Sequence, residues 1–167
     1  AILRDKKISI VMDVGPSPSS KFSSKYQSGA LSFEIISNGK KLISNCGHYD
    51  NKNNKLIKLS KSTATQSTLV IDNQSSCTLR KQDNGYSRIE RGLKIIRKSI
   101  IFEKNYWSIG SAHDGYVKQF GIIHDRQIEF FPENNKFIGY DKLIKKKNFK
   151  SSNFEIRFHL KPNIKIM

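Results

Sequence analysis

The sequence predicts an all-β fold, either a β-sandwich or a barrel, from three observations. Short apolar or alternating segments recur through the 167 residues. Turn residues separate these segments, and no window shows a sustained 3.6-residue period with helix caps. Short strands at regular spacing are typical of sandwiches and barrels. With 37% hydrophobic residues the chain can form one core, so we expect a single domain.

The first half of the chain contains five expected strands separated by loops. They cover residues 8–13, 30–36, 41–45, 68–71 and 77–80. Asn38-Gly39 is a hairpin signal between the second and third of them. Asp72-Asn73 and Asp83-Asn84-Gly85 predict further turns, and residues 50–55 predict a polar loop.

The second half is more regular and predicts six strands. They cover residues 93–102, 106–111, 116–125, 127–131, 136–140 and 154–160. In the last strand four apolar residues alternate with four polar ones, which predicts one buried and one polar face. Phe154, Ile156, Phe158 and Leu160 are expected on the buried face, and His159 on the polar face.

The net charge of +16 points to an anionic partner, either nucleic acid, anionic lipid or an acidic polysaccharide. The alternative is compositional, since lysine, isoleucine and asparagine are abundant together, as in proteins from AT-rich genomes. No apolar run reaches the roughly 18 residues of a membrane span, so no membrane partner is expected. Cys46 and Cys77 match no metal spacing, and a buried free thiol is favoured over a disulfide for each.

Seven stretches, in order, resemble the C-terminal domain of the heparinase II/III-like family, in the form found in alphaproteobacteria. They are residues 29–34, 38–47, 64–72, 111–116, 120–126, 139–143 and 157–162. The resemblance covers nearly the whole chain. It implies an antiparallel β-sandwich over residues 1–167. Because the sequence opens at Ala1 in a strand-like stretch without a signal peptide and stops shortly after another strand, we expect it to be a fragment of a larger parent protein.

The resemblance also implies an activity. Members cleave uronic-acid-containing polysaccharides by β-elimination, in a cleft between an N-terminal α/α toroid and the β-sandwich. The main catalytic Tyr and Asn lie in the toroid, so this fragment alone is expected to be inactive. The implied partners are an acidic polysaccharide and the toroid, and the implied location is the periplasm or cell envelope.

Many members hold a structural metal, whose ligand positions can be followed in this sequence. By resemblance they are Gln27, Asn45 and Gln66, with Gly29 at an Asp position and Lys25 where some members have another His. Zinc prefers imidazole, thiolate or carboxylate ligands, and a neutral amide is a poor substitute. We therefore expect no metal and no cofactor. We hypothesise that the three amides link the strands by hydrogen bonds.

Three further residues are candidates for the site. His113 precedes a turn at Asp114 and is a candidate catalytic residue facing the cleft, although it is favoured to hydrogen-bond the turn. His124 and Arg126 share an apolar strand face and are candidates for binding a substrate carboxylate. Because a cation on an apolar face needs a partner, structural pairing with Asp114 or Asp141 is an equal alternative.

Three functions follow from these observations. The first is the β-sandwich part of a polysaccharide lyase. The second is a relative that binds an anionic polysaccharide without cleaving it, which loss of the metal ligands favours. The third is a basic nucleic-acid-binding β module, ranked last because no RNP, OB-type or cold-shock motif is present.

Overall fold

In a computed structural model, the protein consists mainly of antiparallel β-strands. The structure describes residues 1–49, 54–82, 87–162 and 164. The strands within these ranges are β1 (Ile2–Arg4), β2 (Ile8–Met12), β3 (Phe33–Ser37), β4 (Lys40–Ile43), β5 (Leu69–Ile71), β6 (Thr78–Lys81), β7 (Ser87–Arg91), β8 (Ile95–Phe102), β9 (Trp107–His113), β10 (Ile122–Phe131), β11 (Lys136–Lys145) and β12 (Phe154–Ile156). The α-helices are α1 (Asn54–Ser60) and α2 (Val117–Phe120). None of these helices is long and apolar enough to cross a membrane.

Two four-stranded sheets stack on each other around the main core. The first has the order β1-β2-β3-β4 and the second the order β11-β10-β9-β8, with every neighbouring pair antiparallel. Their inner faces bury alternate side chains against each other. The first sheet contributes Ile10, Met12, Phe33 and Ile35, and the second contributes Trp107, Ile109, Ile128 and Phe130. The predicted antiparallel β-sandwich is therefore confirmed.

Smaller pairs lie beside the sandwich. Strands β5 and β12 pair, as do β6 and β7. The hairpin predicted at Asn38-Gly39 joins β3 to β4, and both residues have the positive φ angles, 48° and 75°, of a type I′ turn. The turn predicted at Asp72-Asn73 is also present, with φ angles of 43° and 57°. The turn predicted at Asp83-Asn84-Gly85 lies outside the described residues.

The prediction for residues 116–131 needs correction. Residues 117–120 are helical, and one continuous strand, β10, replaces the two that were expected. Gly121 ends the helix with a φ of 66°, and a Cβ there would lie 2.5 Å from the backbone of Phe149. Arg126 does not interrupt β10, because it stays in register with Ser111 on β9 and Asp141 on β11.

Besides α2, two strands and one helix were missed. Strands β1 and β7 are absent from the prediction, and helix α1 overlaps the end of the expected polar loop, of which residues 50–53 lie outside the described part. The helix has no buried apolar stripe, since Leu56 and Leu59 are exposed, so no helical period is visible in the sequence.

The predicted faces of the last strand are wrong. Strand β12 ends at Ile156, and the chain continues to an isolated bridge between Leu160 and Ile43. Phe154 and Phe158 are 55% and 53% exposed, whereas they were expected to be buried. The physical reason is position: β12 pairs with the three-residue strand β5 and lies outside the stack of the two large sheets.

Candidate functional site

Two of the three residues at the family's metal-ligand positions bond to the same carbonyl. Gln27 Nε2 donates to the backbone oxygens of Gly47 and Ser60, the latter at 3.0 Å. Gln66 Nε2 donates to the same Ser60 oxygen at 3.4 Å. The two amides thus connect the loop before β3 and the loop before β5 to the C-terminal end of helix α1.

The third residue, Asn45, links the same region to the loop after β4. Its Oδ1 accepts a hydrogen bond from the backbone N–H of Ser67 at 2.8 Å, and its Nδ2 donates to Ser32 Oγ at 3.2 Å. A Cβ added to Gly29 would lie 3.2 Å from Ser32 Oγ and 3.5 Å from Gln66 Oε1. The three amides and Gly29 therefore surround one small region, which we call the amide cluster.

The amide cluster does not fit a zinc ion. Its Gln27 and Gln66 nitrogens are donors directed at a carbonyl, and its Asn45 oxygen is occupied by a backbone N–H. None of these is the imidazole, thiolate or carboxylate donor that zinc requires. In the described ranges no group of three or more His, Cys, Asp or Glu side chains is placed to hold a metal.

We expect the purified protein to contain no stoichiometric zinc, and a chelator to leave its melting temperature unchanged. The matched variant carries Gln27→His, Asn45→Asp and Gln66→His together, which restores zinc-binding donor types at the same positions. Only this variant should gain zinc by elemental analysis. Stoichiometric zinc in the unmodified protein that Gln66→Ala removes would contradict the expectation.

His113, the candidate catalytic residue, lies at the end of β9 and is only 1% exposed. Its Nδ1 accepts a hydrogen bond from the backbone N–H of Gly115 at 3.0 Å. Its ring lies edge-on to that of His124, with centroids 5.3 Å apart. The catalytic role of His113 stays a prediction, and its burial and its bond to Gly115 favour the alternative role of holding the turn.

The structure brings His124 and Arg126 together on β10, facing Asp141 of β11. His124 Nε2 lies 2.6 Å from Asp141 Oδ1. The Arg126 guanidinium binds both carboxylate oxygens of Asp141, at 2.8 and 3.0 Å, and donates to the carbonyls of Leu31 and Ser67. His124 and Arg126 are fully buried. Structural pairing with Asp141, one of the two expected alternatives, is therefore present.

Burial and pairing fix the charges in this cluster. Burial lowers the pKa of His124, against the opposing effect of Asp141, so His124 is neutral at pH 7 and donates its Nε2–H. Burial alone would raise the pKa of Asp141, but the hydrogen bonds from His124 and Arg126 outweigh it and hold the pKa below the usual value. The bonded pair is therefore a carboxylate and a guanidinium, with a neutral imidazole attached.

These shifts predict that stability falls as the pH drops below about 6.5, the pKa of histidine in an unfolded chain. Burial also lowers the pKa of His113 well below that value. The unfolded chain then binds protons that the folded state does not, so each buried histidine removes up to about 1.4 kcal/mol per pH unit. Below about pH 4 the lowered pKa of Asp141 adds a loss of the same sign.

Chemical denaturation between pH 7 and 5 measures this slope. His113→Asn keeps an acceptor for the Gly115 N–H and removes one titrating group, so it should reduce the slope. A slope that His113→Asn leaves unchanged would show that this buried imidazole does not cause it.

An apolar pocket of about 340 Å³ opens beside the buried cluster. Phe33, Phe137 and Phe158 line it together with Arg126 and Asp141. The Arg126 guanidinium stacks 5.4 Å from the centre of the Phe33 ring. The described hydrogen bonds of Arg126 are directed at Asp141 or at backbone carbonyls, so a substrate carboxylate would have to displace one of them. The substrate-binding role of His124 and Arg126 stays a prediction.

A second cavity, on the outer face of the second sheet, was missed by the sequence reasoning. It measures about 500 Å³ and is lined by Arg97, Asp125, Gln127, Glu129, Tyr140 and Lys142. We call it the outer groove. A signal was present in β10, where Asp125, Gln127 and Glu129 alternate with buried residues and so share the opposite face.

Comparisons with known proteins agree with this architecture. The family model "Heparinase II/III-like, C-terminal" matches residues 1–167. The crystal structure of heparan sulfate lyase HepC from Pedobacter heparinus matches with a TM-score of 0.67 and 20% identity, over 94% of this chain. A HepC mutant structure matches with a TM-score of 0.59 and 20% identity, over 83% of this chain. The chain spans 22% and 19% of those two proteins. No curated protein matches it.

Proposed function

Because this chain is a C-terminal domain of the heparinase II/III-like family, we propose that it is the β-sandwich part of a polysaccharide lyase. The substrate proposed is a polysaccharide that contains uronic acid. The observation that carries the proposal is the family match over residues 1–167. The net charge of +16 supports it, since uronate chains are polyanions that a basic surface attracts.

In β-elimination a base removes the proton at C5 of the uronate, next to the carboxyl group. The electron pair forms the C4–C5 double bond, the C4–O bond breaks, and an acid protonates the leaving oxygen. Charge that develops on the carboxyl group needs a neutralising group. We propose that this chain supplies one wall of the cleft, and that an N-terminal α/α toroid of the same protein, in the periplasm or cell envelope, supplies the main catalytic side chains.

The direct test is a lyase assay on the protein in its full natural length. It is incubated with a panel of uronate polysaccharides, and the absorbance of the unsaturated product is followed. Product from at least one member of the panel supports the proposal. Binding to the panel without product from any member supports the second candidate instead, and absence of both binding and product contradicts both.

The second candidate is a relative that binds an anionic polysaccharide without cleaving it. The amide cluster favours it, because all three ligand positions differ from the family pattern and no longer fit the metal that many members hold. A basic nucleic-acid-binding module is distinguished in the same binding experiment. Affinity for an oligonucleotide that exceeds the affinity for uronate oligosaccharides at matched salt would favour it.

A further inference from the structure

The outer groove runs across three strands of the second sheet. Between β8 and β10, the β9 residues Ser108, Gly110 and Ala112 face away from the core with small side chains and are buried beneath larger ones. Gly110 pairs with Gln127 of β10, and Gln127 pairs in turn with Tyr140 of β11. These small residues leave room for the long side chain of Arg97, from β8, to lie across β9 towards Asp125 of β10.

Hydrogen bonds hold the polar walls of the groove in place. Glu129 Oε1 accepts from Tyr106 Oη at 2.8 Å and from Gln127 Nε2 at 2.7 Å. On the other side, Arg97 makes two bonds to the Asp125 carboxylate, one of them from Nε at 3.1 Å. These side chains are therefore fixed before any ligand arrives, which reduces the entropy cost of binding.

Gly110 is required for this arrangement. A Cβ at Gly110 would lie 3.0 and 3.1 Å from the two terminal nitrogens of Arg97. The planar guanidinium therefore lies directly over the glycine backbone and forms part of the groove surface. Its position is set both by Asp125 and by the absence of a side chain beneath it.

Two other lining residues remain available to a ligand. Tyr140 is 45% exposed, so one part of its ring is open to solvent. Lys142 is exposed and forms no ion pair with any residue that the structure describes. The groove thus offers an aromatic surface and one unpaired cation beside a fixed set of donors and acceptors.

This set of groups matches sugar hydroxyls better than phosphates. Hydroxyl groups both donate and accept, so they bond to carboxylates, amides and guanidinium alike. A phosphate chain would be repelled by Asp125 and Glu129, because a carboxylate only accepts hydrogen bonds and carries the same charge sign. The volume lies within the range of roughly 300–1,000 Å³ that is usual for ligand sites.

We propose that the outer groove binds a segment of oligosaccharide, with a pyranose ring on Tyr140 and a carboxylate of the sugar chain on Lys142. The hydroxyl contacts are assigned to Gln127, Glu129 and Asp125. That this carboxylate belongs to a uronate rests on the proposed function, whereas the recognition of sugar hydroxyls does not. The groove is on the opposite face of β10 from His124 and Arg126.

Calorimetric titration of the full-length protein tests this proposal. The probes are a uronate-containing tetrasaccharide and the same tetrasaccharide with its carboxyl groups reduced to alcohols. Tyr140→Ala should weaken binding of both probes about tenfold, since it removes the ring surface. Lys142→Gln should weaken the uronate probe about tenfold and leave the reduced probe unchanged, because it removes a charged hydrogen bond alone.

The matched control is Lys104→Gln, which removes the same charge from the exposed turn between β8 and β9. It should leave both affinities within twofold of the original. Equal losses of affinity in Lys142→Gln and Lys104→Gln would show that net charge causes the effect and would overturn the assignment of Lys142. Unchanged binding in Tyr140→Ala and Lys142→Gln, with melting temperatures preserved, would overturn the groove as the site.

The titration separates this proposal from the proposed function, since binding needs no turnover. If binding depends on Tyr140 and no unsaturated product forms, the groove proposal is supported and the lyase proposal is contradicted. If unsaturated product forms and binding is independent of Tyr140 and Lys142, the lyase proposal is supported and the groove proposal is contradicted.

Discussion

We expect Asp141→Ala to lower the free energy of unfolding by about 3–5 kcal/mol. The substitution leaves the Arg126 guanidinium buried, with carbonyls as its remaining bonding partners in the described structure and no counter-charge bonded to it. It also removes the acceptor of the His124 Nε2–H. Urea denaturation at pH 7 measures the loss.

The matched control for Asp141 is Glu155→Ala. Glu155 also pairs with an arginine, Arg157, but its side chain is 58% exposed. Exposed ion pairs contribute little because water and salt screen them, so the expected loss is below about 1 kcal/mol. Equal losses in the two variants would show that the His124–Asp141–Arg126 cluster is not the buried unit described above.

The second large effect is expected at Phe130. The Phe130→Ala variant should lose about 3–5 kcal/mol, since it removes a ring from the centre of the core. The ring lies 5.1 Å from that of Trp107 and 4.4 Å from that of Phe137, between centroids, and is 1% exposed. The neighbouring strands β9 and β11 hold the surrounding backbone in place, so the structure cannot relax enough to fill the cavity.

Phe131 provides the control for this variant, because the next residue of β10 points to the opposite face. Its ring contacts Tyr106 at 5.4 Å between centroids and is only half-buried. Phe131→Ala should therefore cost less than half as much as Phe130→Ala. A larger loss at Phe131 would contradict the inside and outside assignment of β10 and, with it, the position of the outer groove.

The strands that the sequence predicted well are those with a local signal. Asn38-Gly39 can adopt the two positive φ angles of a tight hairpin, so β3 and β4 could be located from the turn alone. Residues 116–121 carried no such signal. Tyr116 is buried and donates a hydrogen bond to the backbone carbonyl of the distant Leu69, a long-range contact that the local pattern does not reveal.

The last strand shows the limit of alternation as a signal. Alternation reports that one face differs from the other, and it does not report whether a second layer covers the apolar face. The expected burial of Phe154 and Phe158 required such a layer, and both side chains stay more than half exposed, although Phe158 packs edge-on against Phe33 of the first sheet. Which strands stack on which is a property of the complete topology.

The site shows the same contrast. A cation on an apolar strand face predicted a partner for Arg126, and Asp141 was one of the two candidates, because a buried charge must be compensated. The outer groove depends on the register of four strands, β8 to β11, and on the small outward residues of β9, over which Arg97 lies. Register between strands separated by turns cannot be obtained from any one segment.

The central proposal is that this β-sandwich is part of an enzyme that breaks a uronate chain by elimination. The most direct measurement compares two products formed by the full-length protein from the same polysaccharide: new reducing ends and C4–C5 double bonds. We predict one double bond for each new reducing end, and no product from carboxyl-reduced polysaccharide, in which C5–H is no longer acidic. New reducing ends without double bonds, or binding with neither product, would contradict the claim.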